Sequence, residues 1–329
     1  MRARKRAVAT GENRCKRAAD GKVLAMNTVE QVLNLKFYKG EDLYSDGEVE
    51  DRLLSLCESG RPLSEILQEN EDWPILYHLS DVRENVLEWY DFDPQASLLE
   101  IGAGCGAVTG LFCRRVKRVV CNDLSKRRST INAVRNGGHG NLEIFVGNFE
   151  DLVLEERFDY VTLIGVLEYA GYYISQGEPY SAMLNRVKRF LKPGGKLIVA
   201  IENQFGLKYW AGAAEDHTGR FFDGIGDYAG VKGVRTFSKP EITRLLCEAG
   251  FGMNEFYYPM PDYKLPTAVY SDAFLPKKGM FSDITVSYDR DRYVMFDEAA
   301  AYEKLAADGQ FPYFANSFLI VSTPDGEEA

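Results

Sequence analysis

The stretch "LLEIGAGCGAVTG", residues 98–110, decides how the chain can be interpreted. The apolar pair Leu98–Leu99 runs into Glu100 and Ile101, as in a buried strand, and a glycine-rich loop follows at once. Its glycines are Gly102, Gly104, Gly106 and Gly110. A strand that ends in such a loop and opens a helix lets backbone amides approach a ligand closely. Taken alone, the loop also fits a tight strand-to-helix turn that binds nothing.

Outward from this loop, short apolar segments alternate with amphipathic polar ones. The candidate strands are 97–101, 118–122, 142–146, 160–164 and 196–201, with two more near 255–258 and 316–322. This alternation predicts a parallel sheet with helices on both faces. Before it, residues 41–90 place apolar residues at helical spacing, which predicts a helical region.

Polar and aromatic side chains stand at the ends of the predicted strands. Asp123 ends the second strand, where an acid can accept hydrogen bonds from both hydroxyls of a ribose. Asn148 and Phe149 follow the third strand and could pair with an adenine edge and cover its face. NAD and S-adenosylmethionine could both use such a site. Glu100 favours the second, because a carboxylate before the glycines attracts a cationic amino acid and repels a pyrophosphate.

At this point the sequence resembles the class I S-adenosylmethionine-dependent methyltransferases. The segments "LLEIGAGCGAVTG", "VVCND", "VGNFEDL", "FDYVTLIGVLEY" and "LKPGGKLIVAIEN" follow in the expected order over residues 97–203. The resemblance implies a Rossmann-like sheet of seven strands with the last one antiparallel. It also implies S-adenosyl-L-methionine as cofactor. It places the methionine part near Glu100, Gly102 and Gly104, the ribose on Asp123, the adenine on Asn148 and Phe149, and the sulfonium before Gly165 and Val166. Gly106, in the same glycine loop, is also assigned to the cofactor.

The sequence is further similar to a bacterial subgroup of these enzymes that is associated with glycosyltransferases and surface-polysaccharide assembly. The segments "IENQFGLKYWAGAAEDHTGRFFDGIGDY" and "FYYPMPDYKLPTAVYSDAFLP" carry this second resemblance. It implies O-methylation of a sugar-containing or other hydroxylated acceptor, and association with glycosyltransferases. The acceptor is otherwise open.

The pattern divides the chain into three regions. Residues 1–26 carry eight Lys or Arg against two acids, a net charge of +6, and we expect a disordered leader. Residues 27–90 form the helical region, and residues 91–329 form the methyltransferase domain. Two irregular inserts, at about 203–236 and 260–313, interrupt that domain. Inserts of this length are usually functional, and we expect them to close over the acceptor as lids.

The candidates for catalysis lie after the later strands and in the first insert. Removing a proton from a hydroxyl acceptor calls for a His or for a carboxylate of raised pKa. His217 is the expected base, and Glu168 and Glu202 are the alternatives. Each could instead hold the insert in place through hydrogen bonds.

Composition narrows the remaining choices. The chain has 45% hydrophobic residues, which suffices for a full core, and its net charge is −10. Outside the basic leader the charge is −16, a poor match for nucleic acid. The six cysteines include no C-x-x-C pair, and with only three histidines the sequence shows no zinc ligand set, so no metal is expected. Unpaired cysteines of this kind suit a cytoplasmic protein. The longest apolar runs are far too short for a transmembrane segment.

Other functions remain open beside O-methylation. Methylation of another small molecule or of nucleic acid is one, although "GVLEY" at 165–169 differs from the Asn-Pro-Pro-Tyr-like motif of rRNA adenine dimethyltransferases. A dehydrogenase is another. A non-catalytic partner subunit that only binds the cofactor is a third. The oligomeric state does not follow from the sequence.

Overall fold

The computed structural model describes residues 29–42, 44–175, 177–281 and 289–326. The predicted leader, 1–26, lies outside the described residues, as does the part of the second insert at 282–288. The helices are α1 (Val29–Val32), α2 (Glu48–Glu58), α3 (Leu63–Glu69), α4 (Trp73–Leu79), α5 (Thr109–Arg115), α6 (Lys126–Asn136), α7 (Ala170–Tyr173), α8 (Pro179–Arg189), α9 (Leu207–Trp210), α10 (Lys239–Glu248), α11 (Glu298–Ala307) and α12 (Phe311–Phe314).

The strands form one mixed sheet. They are β1 (Leu33–Asn34), β2 (Ser97–Ile101), β3 (Arg118–Asp123), β4 (Leu142–Val146), β5 (Phe158–Ile164), β6 (Leu191–Glu202), β7 (Met253–Met260), β8 (Ala268–Ser271) and β9 (Ser317–Thr323). Their order across the sheet is β1-β4-β3-β2-β5-β6-β9-β7-β8. The pairs from β1 to β6 are parallel, whereas β9 runs antiparallel to both β6 and β7. The predicted Rossmann-like α/β fold with an antiparallel last strand is confirmed.

Both faces of the sheet are covered, which explains the continuous apolar strands in the sequence. Leu98 and Leu99 are neighbours in β2, and both are fully buried. Because successive side chains in a strand point to opposite faces, they belong to two different hydrophobic clusters, one on each side. The helices that cover these clusters are the polar segments between the strands in the sequence.

Among the described residues the sheet has nine strands, where seven were predicted. The two additional strands are short and depend on tertiary pairing. Leu33–Asn34 joins the edge beside β4, and Ala268–Ser271, inside the second insert, pairs with β7. The strand predicted at 196–201 also begins earlier, because β6 starts at Leu191 and includes Pro193, Gly194 and Gly195. The register against β5 shifts there, between Phe158 and Tyr160.

The residues before the sheet pack over the carboxyl ends of its strands. Helices α2, α3 and α4 share a small hydrophobic cluster with Ile131 of α6. Asp42 fastens this region further: its carboxylate accepts hydrogen bonds from the backbone amides of Lys126 (2.7 Å) and Arg127 (3.1 Å), in the first turn of α6. A carboxylate there also offsets the positive end of the helix dipole. Among the residues that the structure describes, every helix is too short or too polar to span a bilayer.

Candidate functional site

A cavity of about 520 Å³ lies at the carboxyl ends of β2, β3 and β5. The chain runs outward from β2 to β3 and β4 and then returns to β5 on the other side, so the strand order reverses here. In open parallel sheets this is where ligands bind. The floor is the glycine loop after β2 together with the loop after β5, and the roof comes from residues 44–83, ahead of the sheet.

The glycine loop lies as close to its neighbours as the sequence suggested. Gly102 has φ +70°, and a Cβ there would lie 2.4 Å from Cγ2 of Val166. Both residues line the cavity. Gly104 also lines it, and its amide donates a 2.7 Å hydrogen bond to Asp123. Gly106 is placed differently, because it packs against Asn132 of α6 outside the cavity lining. Gly102 and Gly104 therefore shape the cavity floor, whereas Gly106 allows the loop to pack closely against α6.

Asp123 lies at the end of β3 and faces the cavity. Its Oδ2 accepts from Gly104 and its Oδ1 accepts from the amide of Ser125 at 2.9 Å. The N-cap of α6 is Ser125, whose hydroxyl accepts from Arg128. Each carboxylate oxygen keeps a free lone pair for a ligand hydroxyl.

Glu100 lines the cavity from the end of β2 and is 5% exposed. Burial raises the pKa of its carboxyl to about 7, and hydrogen bonds from Thr109 and Cys121 oppose this rise. The Thr109 bond, to Oε2, is 2.6 Å long. Glu100 is therefore poised to gain or lose a proton near neutrality, depending on the charge placed beside it.

Asn148 and Phe149 also line the cavity, after β4. The side-chain amide of Asn148 is used within the protein: Nδ2 donates to the carbonyl of Tyr173 and Oδ1 accepts from the amide of Glu150. The ring of Phe149 is 6% exposed and lies 5.8 Å from that of Phe190. Phe149 thus belongs to the core and to the cavity wall at once.

Several cavity residues were not singled out from the sequence. Arg83 is 4% exposed; its Nη1 donates to the carbonyl of Lys264, and its Nε is buried without a partner. Arg128 lies beside Gly104, with its guanidinium 4.8 Å from the centre of the Tyr44 ring. The aromatic residues of the roof are Tyr44, Trp73 and Tyr77. The rings of Trp73 and Tyr77 stack with their centres 5.2 Å apart. Of the two inserts, the described residues contribute only Lys264 to the lining.

The structure brings the three catalytic candidates together in a buried cluster. Nε2 of His217 lies 3.7 Å from Oε1 of Glu168 and 3.7 Å from Oε2 of Glu202. On the other side of the ring, Nδ1 lies 2.7 Å from Oε1 of Glu215. We call Glu168, Glu202, Glu215 and His217 the His217 cluster. None of the four lines the cavity.

The charges of the His217 cluster act strongly on one another. Burial favours the neutral imidazole, but Glu202, Glu168 and Glu215 outweigh it and hold the pKa of His217 well above its usual value. Burial raises the pKa of Glu168, whereas the hydrogen bond from His217 overcomes burial and lowers the pKa of Glu215. Lys264 reaches the cluster from the cavity side, with Nζ 2.5 Å from Oε1 of Glu202.

A thin wall separates the His217 cluster from the cavity. The Tyr169 ring lines the cavity and lies 5.2 Å from the imidazole of His217. At Gly165, a Cβ would meet Oε1 of Glu168 at 3.6 Å and the hydroxyl of Tyr263 at 2.7 Å. The cluster thus lies directly behind Gly165, Tyr169 and Lys264.

The comparisons agree with this geometry. Residues 99–199 match the family model described as a methyltransferase domain. The matched segment runs from β2 into β6 and contains every cavity-floor residue described above. The chain therefore carries a methyltransferase domain on a Rossmann-like fold. The cofactor of this domain is S-adenosyl-L-methionine.

Solved structures with a similar course of the chain are methyltransferases of distant sequence. One is an S-adenosylmethionine-dependent methyltransferase from Thermotoga maritima, with 17% identity, a TM-score of 0.46, and coverage of 83% of this chain and 100% of that one. Another is the CcbJ methyltransferase from Streptomyces caelestis, with 14% identity, a TM-score of 0.47, and coverage of 86% of this chain and 100% of that one. A third is phosphoethanolamine N-methyltransferase 1 from Haemonchus contortus, with 12% identity, a TM-score of 0.45, and coverage of 87% of this chain and 51% of that one. A search of curated protein sequences found no significant match. At these similarities no substrate or residue role transfers to this chain.

The residues that line the cavity fit this cofactor. Its methionine part carries an ammonium and a carboxylate, and Glu100 and Arg83 supply one buried group of each opposite charge. Asp123 offers acceptors for ribose hydroxyls. The apolar side chains beside Phe149 offer a surface for a flat base; they are Ala170, Ile174 and Met183.

Proposed function

We propose that the protein transfers a methyl group from S-adenosyl-L-methionine to a hydroxyl of a small acceptor that contains a sugar or a comparable polyhydroxylated group. The observation that carries this proposal is the composition of the cavity. One end matches the cofactor, and the other end joins aromatic rings to a buried acidic cluster. Bound cofactor supplies an electrophilic methyl group on a cationic sulfur.

The cofactor end would hold its ligand through charge and shape. Glu100 pairs with the ammonium and Arg83 with the carboxylate, since both are buried and face the same part of the cavity. Asp123 accepts from the ribose hydroxyls, and Asn148 and Phe149 bound the adenine. The loop at 165–166 backs the sulfonium. Charge-assisted hydrogen bonds of this kind are about twice as strong as neutral ones.

The acceptor end supports a hydroxylated, ring-shaped acceptor. Trp73, Tyr77 and Tyr169 present flat apolar faces with polar edges, which suit the mixed surface of a sugar ring. Lys264 lines the same cavity, and its ammonium can donate to acceptor oxygens. The sequence resemblance to the polysaccharide-associated subgroup supports the same acceptor class, and with it a cytoplasmic role beside glycosyltransferases.

Methylation of a hydroxyl releases a proton, and the His217 cluster is the proposed receiver. His217 is the proposed base, with Glu168 and Glu202 as the alternatives. Because the pKa of His217 is held well above its usual value, the imidazole can accept a proton only after passing its own to a neighbouring carboxylate, and Glu168, whose pKa burial raises, is the proposed partner. All three lie behind Tyr169 rather than in the cavity lining, so the proton would cross by one bridging water, a distance that general bases commonly span. Keeping bulk water away from this end would also favour in-line transfer.

The test has two stages. Isothermal titration with S-adenosylhomocysteine should show one site, with NAD and NADP giving no heat. Transfer of label from methyl-labelled S-adenosylmethionine is then measured on sugar nucleotides and oligosaccharides, with amines and tRNA as the contrasting panel. Label on a sugar oxygen, located by mass spectrometry, is the expected result. Label only on amines or RNA would overturn the acceptor class, and cofactor binding without transfer to any of them would favour a non-catalytic subunit.

A further inference from the structure

We propose that the His217 cluster is a binding site for a divalent transition-metal cation, held by Nε2 of His217 and by carboxylate oxygens of Glu168 and Glu202. One ligand atom from each residue lies within 4.8 Å of the others. The distances from Nε2 to the two carboxylates are both 3.7 Å. Around a metal with bonds of about 2.1 Å, neighbouring ligand atoms lie about 3–3.5 Å apart. The two distances from His217 need to shorten by a few tenths of an ångström, and the two carboxylates must also draw together around the cation.

Unpartnered oxygens point to a missing ligand. Glu202 is fully buried, and its Oε2, the atom that faces His217, has no hydrogen-bond partner. Oε2 of Glu168, a residue that is 1% exposed, has none either. Buried carboxylate oxygens without partners are costly, and a cation between them removes that cost.

The histidine is held as metal-ligating histidines usually are. Nδ1 of His217 is 2.7 Å from Glu215, and the same carboxylate accepts the backbone amides of His217 and Thr218. Tyr228 donates to it as well. Glu215 therefore fixes the ring and its tautomer, and directs Nε2 toward Glu168 and Glu202. A carboxylate behind a histidine is the usual outer shell of a metal site.

The buried ion-pair network around the His217 cluster contains more acidic than basic side chains. Three basic residues, Lys208, Lys264 and His217, are in ion-pair contact with five acids, Glu168, Glu202, Glu215, Asp216 and Asp262. With all five carboxyls ionised, even a protonated His217 leaves two negative charges, and the raised pKa of Glu168 reflects this unfavourable excess. Unpaired buried charge is strongly unfavourable, and one divalent cation would neutralise it.

The ligand set selects the kind of metal. One imidazole with two carboxylates suits Mn²⁺, Fe²⁺ or Zn²⁺, whereas Mg²⁺ and Ca²⁺ prefer oxygen ligands alone. Three protein ligands also leave coordination positions open. Cation binding does not depend on methyl transfer. The use of the cation to acidify an acceptor hydroxyl rests on the proposed function.

The first experiment measures cation binding by the whole chain without an acceptor. After dialysis against a chelator, Mn²⁺ is titrated and followed by electron paramagnetic resonance, with Mg²⁺ as competitor. The expected result is one bound Mn²⁺, lost in Glu202→Gln and weakened about 10–100-fold in Glu215→Gln. Glu50→Gln is the matched control, because Glu50 is equally buried and contacts Ser45 rather than the cluster. Absent binding, or equal binding in Glu202→Gln and Glu50→Gln, would overturn the site.

A second measurement does not depend on whether a cluster variant folds. The chain has three histidines, so His78→Gln/His139→Gln leaves His217 as the single one. Its imidazole ¹⁵N resonances are followed as Zn²⁺ is added. A stoichiometric shift of Nε2 supports the site, and unchanged resonances at saturation contradict it and leave an ion-pair cluster. S-adenosylhomocysteine titration of the unsubstituted chain reports the cofactor cavity separately, so failure of the metal site is distinguishable from failure of the proposed reaction.

Discussion

The amide of Gly104 donates a 2.7 Å hydrogen bond to Oδ2 of Asp123, so the loop after β2 is tied to the end of β3. This contact couples the shape of the cavity floor to the residue proposed to bind the ribose. A change at Asp123 therefore acts on the ligand directly and on the loop that cradles it.

Asp123→Asn should weaken binding of S-adenosylhomocysteine by about 1.5–3 kcal/mol, because the carboxylate makes charge-assisted hydrogen bonds that an amide makes less well. Isothermal titration measures the change. Asp51→Asn, on the exposed side of α2, is the control and should bind like the unchanged protein. Unaltered affinity in Asp123→Asn would remove Asp123 from the ribose site.

Gly102→Ala should destabilise the protein by about 2–4 kcal/mol and impair cofactor binding. The new Cβ would adopt an unfavourable positive φ and lie 2.4 Å from Cγ2 of Val166. Urea unfolding gives the loss of stability. Gly138→Ala, with open space around the new methyl, is the control. Adding Val166→Ala should recover part of the loss, and no recovery would show that backbone strain dominates.

Cofactor affinity should depend on pH through Glu100. In the free protein burial raises the pKa of this carboxyl to about 7, so it is largely protonated at pH 6. A cationic ammonium binds the ionised form, and affinity should therefore fall as pH drops below about 7, by at most about tenfold per pH unit. Titration of S-adenosylmethionine from pH 5.5 to 8 measures this. The pH dependence of the affinity should disappear in Glu100→Gln. An unchanged pH dependence in that variant would show that another group causes it.

Acid should destabilise the fold through His78, under the roof of the cavity. Burial lowers the pKa of His78 to about 4, against a hydrogen bond with Asp46 that opposes the change. The unfolded chain takes up the proton near pH 6.5, so stability is complete above that pH and is lost as pH falls toward 4. The full loss is about 3 kcal/mol. The pH dependence of urea unfolding across this range should be flatter in His78→Gln, whereas the same change at the exposed His139 should alter it less.

The core strands of the sheet could be predicted because short stretches of neighbouring residues are enough to identify each of them. Each strand of the core is a short apolar run, and the glycine loop, Asp123 and Asn148 follow strand ends directly in the sequence. Leu33–Asn34 could not be found this way. Two residues carry no periodicity, and only their pairing with β4 makes them a strand.

The site was predictable only where it follows the strands. Arg83 and Lys264 meet in the cavity wall although 181 positions separate them, and no spacing in the sequence indicates that contact. The His217 cluster has the same origin. Glu168, Glu202 and His217 were each expected near the strand ends, but their mutual distances depend on how the first insert folds back. A search for closely spaced ligands therefore could not reveal them as a set.

The Asp42 contact with the first turn of α6 has a consequence for exchange of the cofactor. Tyr44 and Asp46, only a few positions further along, belong to the cavity lining, so this anchor sets where the roof rests. The sheet from β2 onward contains no residue of the roof. The sheet thus provides the stability of the fold, and the residues ahead of it enclose the cavity. Weakening the Asp42 contact should raise the rates at which cofactor enters and leaves while the sheet keeps its order, so Asp42 would control how readily the roof opens.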